Sequence, residues 1–173
     1  LTLLAMLQYF RRRSTAAIFH HPLDPAPRTA ILMDGFQASR SIRVFPGGWS
    51  EAVSRYQPST IAAPLEYLRD LAARGAATEL QHAVIAFTYD ANGRLDEDDR
   101  EVLWTAFGVP VFEQYLNSRN ELLATECEAH AGLHVVSGCG GLATDKSPCP
   151  CGSTAPRLES PRILVPELEL VLA

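Results

Sequence analysis

Lysine is almost absent from this sequence: Lys146 is the only one, and the remaining basic residues are all arginine. The bias reads as genomic composition, and it confines any lysine chemistry to one position. Cysteine is absent before Cys127. No apolar run is long enough to span a bilayer. Leu1 to Leu7 is too short and precedes Arg11-Arg12-Arg13, the reverse of signal-peptide order. No Ser/Thr/Gly-rich loop offers the backbone nest that would hold a triphosphate. Positive charge is not in excess, since the net charge is −5, so no footprint for nucleic acid or an anionic membrane appears. Repeats and low-complexity tracts are missing too. These absences point to a cytoplasmic chain with no nucleic-acid or membrane partner. Because it opens on Leu1 and not Met, further residues are expected upstream.

What is present suits one α/β domain with a sizeable core. Leu3, Leu4, Leu7 and Phe10 recur at helical spacing, with Arg11 to Arg13 at the negative end of the dipole. Short apolar runs at Ala16–Phe19, Ala30–Met33 and Arg43–Phe45 read as strands. Pro22, Pro25 and Pro27 force an irregular connection that carries His20 and His21 as a surface pair. Trp49–Tyr56 is expected to be a short helix ending before Pro58. Thr60–Ala63, Ala83–Thr88 and Val109–Phe112 are predicted as adjacent strands of a mainly parallel sheet. Covering helices run from Pro64 to Gly75 and from Asp96 to Gly108. The first of these turns Leu65, Leu68 and Leu71 inward, and the second Val102, Leu103 and Phe107. Asp96 to Asp99 is a capped helix start and not a cation site. The expected layout is an N-terminal helix with irregular strands over 1–40 and an α/β core over 41–125. A Cys/His segment over 126–157 and a tail over 158–173 complete it.

The cysteines cluster late, flanked by Gly and Pro. A disulfide between Cys149 and Cys151 would close a small strained ring, whereas two thiolates on one metal are natural there. Cys127 is the third donor for a tetrahedral zinc, leaving His134, His130 and Cys139 for the fourth. The plainer alternative is a set of reduced, partly buried thiols. Four protein donors would leave no open coordination position, which argues for structural and against catalytic zinc. A cysteine nucleophile would need a positioned base that spacing alone does not supply. No catalytic residue is nominated.

Several stretches resemble the phenylacetate-CoA ligase branch of the acyl-adenylate-forming, AMP-binding enzymes. They are Val44-Phe45-Pro46-Gly47-Gly48, the segment Tyr56–Leu68, Phe107–Tyr115, Glu126-Cys127-Glu128 with Gly132-Leu133-His134-Val135, and Cys149-Pro150-Cys151-Gly152-Ser153-Thr154 with Pro156-Arg157. The resemblance covers 41–157, about two thirds of the chain. It implies a ligase subdomain that binds ATP, forms an acyl or aryl adenylate and passes the acyl group to CoA. It would place Tyr115 against adenine and Ser118 near the phosphates, and it favours His134 as the fourth zinc donor.

The departures from that pattern are specific. Leu116 stands for a Gly, Arg119 for the magnesium-binding Glu, Gly141 for a ribose-binding Asp, and Thr88-Tyr89-Asp90 for an Ala-Glu-Pro segment. Alignment of Cys139-Gly140-Gly141-Leu142 with the family's Thr-Gly-Asp-Leu motif implies a large deletion after His134. The subdomain with the catalytic lysine is missing. Each loss removes an electrostatic contribution to phosphate transfer, so binding of ATP and CoA is in doubt. The expectation is a zinc-binding, catalytically inactive ligase remnant that acts as a binding or accessory module. The alternatives are one part of a split or truncated aryl/acyl-CoA ligase, and a decayed product with a folded core. Its expected partners are an aryl or acyl small molecule, a companion ligase chain, or a second copy in a homodimer.

Overall fold

The computed structural model describes residues 16–75, 79–89, 93–137 and 144–158. The helix expected near the N-terminus and the tail beyond Leu158 lie outside these residues. Nine strands form one sheet. They are β1 (Thr29–Ile31), β2 (Ile42–Val44), β3 (Thr60–Pro64), β4 (Ala83–Thr88), β5 (Val111–Leu116), β6 (Leu122–Glu126), β7 (Leu133–Val135), β8 (Thr144–Asp145) and β9 (Arg157–Leu158). Three helices accompany them among the described residues: α1 (Glu51–Tyr56), α2 (Leu65–Ala73) and α3 (Glu97–Phe107).

The strand order is β2-β1-β3-β4-β5-β6-β7-β9-β8. From β2 to β5 every neighbouring pair is parallel, and from β5 onward every pair is antiparallel. The three strands predicted as parallel neighbours, β3, β4 and β5, are so. The sheet as a whole is mixed, because β5 turns back into β6 and β6 into β7 through short connections, which join antiparallel strands.

Chain direction explains where the layers lie. Each step from β2 through β5 advances the same way across the sheet, so right-handed crossovers put α1, α2 and α3 on one face. There Val53, Leu65, Leu68, Leu71, Leu103 and Phe107 pack on Ile61, Ala63, Val84 and Ala86. The step from β1 to β2 runs the opposite way. Its connection carries Phe36 onto the other face, with Ala17 and Phe19, against Ile31, Ile85 and Phe87. Ala16–Phe19, expected as a strand, makes only a single bridge between Ala17 and Phe36 and serves as a lid on that face.

Two readings of register need correction. Leu103 and Phe107 are buried, but Val102 is 51% exposed. At about 100° per residue a neighbour of Leu103 cannot share its stripe, and the inward position is taken by Asp99 one turn back. The strand predicted over Val109–Phe112 begins at Val111 and runs through Glu113 and Gln114 to Leu116. Polarity suggested an end, yet both polar side chains are paired. Glu113 accepts from Thr88 Oγ1 at 2.7 Å and Arg94 Nε at 2.6 Å, and Gln114 Nε2 donates to the His20 carbonyl at 2.6 Å. A buried polar group with its bonds made can stay in a strand.

Candidate metal centre

The antiparallel strands bring the late cysteines together. β5 reverses at Asn117, whose Oδ1 accepts from the N–H groups of Arg119 (2.8 Å) and Glu121 (3.0 Å). β6 then delivers Cys127 just past its last residue. The His130 N–H closes a turn on the Cys127 carbonyl at 3.0 Å, and the chain returns as β7 with His134 opposite Thr125. The next segment supplies Cys149-Pro150-Cys151 in a turn closed by the Gly152 N–H on the Cys149 carbonyl at 2.9 Å. Gly152 adopts φ 84, which a side chain would strain, so the tight return to Ser153 depends on glycine there.

Cys127 Sγ, His134 Nε2, Cys149 Sγ and Cys151 Sγ lie close enough to hold one metal ion. Cys127 Sγ and Cys149 Sγ are 3.7 Å apart, and Cys151 Sγ is 3.5 Å from His134 Nε2. A tetrahedron with Zn–S of about 2.3 Å and Zn–N of about 2.0–2.1 Å has S···S and S···N edges of about 3.8 and 3.6 Å. The observed edges match. They are far too long for a disulfide, whose sulfurs approach to about 2.05 Å.

The surroundings orient these donors. His134 Nδ1 sits 3.3 Å from the Ala155 carbonyl, so a proton on Nδ1 leaves the Nε2 lone pair facing the thiols. The Ser153 N–H donates to Cys151 Sγ at 3.4 Å. The Cys151 N–H, aimed at Cys149, brings that thiol down to about 7. Burial pushes the Cys127 thiol up, against a smaller opposing pull from the Ala129 N–H. Cys149 is therefore the thiol most readily ionised near neutral pH, and a metal would displace the protons of its thiol donors on binding. Arg157 stitches the frame around the site. It donates to the Ala131 carbonyl in the β6–β7 turn and to Asp145 Oδ2 of β8 at 2.7 Å.

Three other residues nominated for sites lie elsewhere. His130 is turned away: its ring packs on Phe112, with centroids 4.9 Å apart, and Nδ1 lies 3.2 Å from Glu126 Oε1. Tyr115 is buried on β5 with Ala124, Leu133 and Leu158, and Ser118 is exposed in the following turn. Cys139 lies outside the described residues. Sequence reasoning missed Glu126, a buried carboxylate that accepts from Arg100 Nη2 and from the Glu113 N–H, both at 2.9 Å. It also missed the Arg157 stitch. The only signal was a charged residue at an inward position of a strand, visible once the strand's bounds are known.

No helix among the described residues is long and apolar enough to cross a membrane. In comparisons with known proteins, no family model matches the chain and no curated protein matches it in sequence.

Proposed function

We propose that this chain is a zinc-stapled α/β module that works by binding and not by catalysis. The ion is structural. It joins the β6–β7 hairpin to the Cys149–Cys151 turn, fixing the antiparallel strands onto the parallel sheet. The observation that supports this reading is a set of three thiols and one imidazole whose donor atoms all lie within 4.8 Å of one another, two of the separations fitting the edges of a zinc tetrahedron. Four protein donors leave no coordination position for a substrate or an activated water. The residue pattern shared with the phenylacetate-CoA ligase branch supports descent from an adenylate-forming ancestor. With Arg119 at the position of the magnesium-binding Glu, ATP has lost its metal partner in this chain.

Metal analysis of purified protein tests the first part. One zinc per chain is expected, and Cys149→Ser should lose it and lower the melting temperature. Zinc content and melting unchanged in that variant would remove the site. The second part predicts no ATP–pyrophosphate exchange above a no-enzyme blank with aryl acids. Exchange that vanishes on Tyr115→Ala would reinstate a ligase.

A further inference from the structure

The arginines divide into two groups. Arg55, Arg69, Arg74, Arg94, Arg100 and Arg157 each have a carboxylate within ion-pair distance. Arg28, Arg40, Arg43 and Arg119 have none among the described residues, and two of these, Arg28 and Arg43, converge on one ring. The Arg43 guanidinium lies 4.9 Å from the Tyr56 centroid, and that of Arg28 lies 5.6 Å from it. In a chain of net charge −5, two cations share one aromatic surface with no carboxylate within ion-pair distance among the described residues. Such an arrangement costs electrostatic energy that a bound dianion would relieve.

Of these two arginines, Arg28 also lines a polar cavity of about 430 Å³. It lies toward the amino ends of β1, β3 and β4. Arg28, Ser54, Gln57, Ser59 and Gln81 supply donors, and Trp49 supplies an aromatic wall. Glu79 is the one carboxylate on its lining. Two features hold this wall in place. The Arg28 carbonyl accepts from the Ser59 N–H at 2.9 Å and the Thr60 N–H at 3.1 Å, which anchors the base of the Arg28 side chain. Gln57 takes a left-handed φ of 50 as the C-cap of α1, its N–H donating to the Ser54 carbonyl at 3.1 Å and the Val53 carbonyl at 3.2 Å, which fixes the opposite rim.

From this geometry we infer a binding site for a phosphate monoester carried on an aromatic ring. The phosphate would sit at Arg28, with Arg43 adding to the local positive potential, and the ring would lie against Trp49. A phosphate dianion matches two guanidiniums, whereas a single carboxylate would leave one charge uncompensated. The cavity has room for more than a bare phosphate. The inference is independent of the zinc centre, which shares no residue with it.

Phenyl phosphate is the probe, titrated against full-length protein carrying Trp104→Phe so that Trp49 alone reports by fluorescence. Saturable quenching is expected, with inorganic phosphate binding more weakly. Arg28→Ala should weaken phenyl phosphate about tenfold or more, as loss of a charge-assisted contact does. Arg28→Lys should recover part of it, and Arg43→Ala should give a smaller loss. Arg119→Ala, which removes an exposed arginine elsewhere, should change nothing. Circular dichroism of each variant establishes that it is folded. The site is overturned by absence of saturable quenching, by undiminished binding in folded Arg28→Ala, or by an equal loss in Arg119→Ala. Inorganic phosphate binding as tightly as phenyl phosphate would overturn the aromatic half of the inference.

Discussion

His21 is the residue whose burial makes the clearest demand on pH. Its Nδ1 accepts from the Leu23 N–H at 2.9 Å, and its Nε2 is buried with no partner. Burial lowers its pKa from 6.5 to about 4. The unfolded chain therefore binds a proton between these values that the folded chain refuses. The stability involved is fully present above pH 6.5 and is lost as pH falls toward 4, by about 1–3 kcal/mol. Melting temperatures measured across that window should fall more steeply for the wild type than for His21→Asn. Equal slopes would mean that the ring is hydrated. The sequence marked His20 and His21 only as a surface pair, since nothing in a proline-rich loop announces that one ring will be tucked under Phe19. The metal donors were legible for a different reason. Thiolate chemistry leaves few uses for Cys-Pro-Cys-Gly, and a donor set is recognisable without its geometry. Choosing His134 over His130 from within the sequence leaned on resemblance, because both follow Cys127 at workable spacing. The physical discriminator, a β7 register that sets His134 opposite Thr125, exists only in the fold.

At the scale of elements, α3 was the most readable and also the most instructive. Its capping box is complete: Asp96 Oδ1 accepts from the Asp99 N–H at 2.8 Å, and Asp99 Oδ2 accepts from the Asp96 N–H at 3.4 Å. Asp99 also takes a two-pronged contact from Arg69 at 2.6 and 2.7 Å, which ties α3 to α2. The Arg69 contact, with the Asp96 N–H assisting, holds the Asp99 carboxyl below its usual range. Removing it in Asp99→Ala should cost about 1–2 kcal/mol, the exposed side of Arg69 limiting the ion-pair share. Leu103→Ala should cost about 2–5 kcal/mol, while Val102→Ala, on the solvent side, should stay within about 0.5 kcal/mol. Denaturant melts of the two variants check the register directly. The strands were legible where their residues are uniformly apolar, as in β4. They were not where the chain buries charge. β5 and β6 carry Glu113 and Glu126 inward, and only partners distant in sequence make those positions tolerable.

For the whole molecule, the parallel half and the antiparallel half rest on different supports. The parallel half has apolar packing on both faces, whereas β6 to β9 share a small cluster of Tyr115, Ala124, Leu133 and Leu158. Chelation of the metal should therefore act unevenly, because the binding energy of such a site is folding energy for the strands it joins. Hydrogen exchange after treatment with a strong chelator should speed up in Leu133–Val135 and Arg157–Leu158 and leave Ala83–Thr88 protected. Uniform loss of protection would show that the two halves unfold as one. The sequence alone could not indicate this division, since strand pairing beyond β5 depends on turns and on partners such as Arg157 and Asp145 that meet only in the fold. One consequence follows from the places where the chain meets the metal. Between His134 and Cys149 it leaves one candidate donor and comes back to another, so a shared ion would pin both ends of the excursion whatever its length. Lengthening a closed excursion twofold costs only about 0.6 kcal/mol. Foreign sequence, an affinity tag or an entire second domain, grafted ahead of β8 (Thr144–Asp145) should therefore add little closure cost and leave the strand pairs in place.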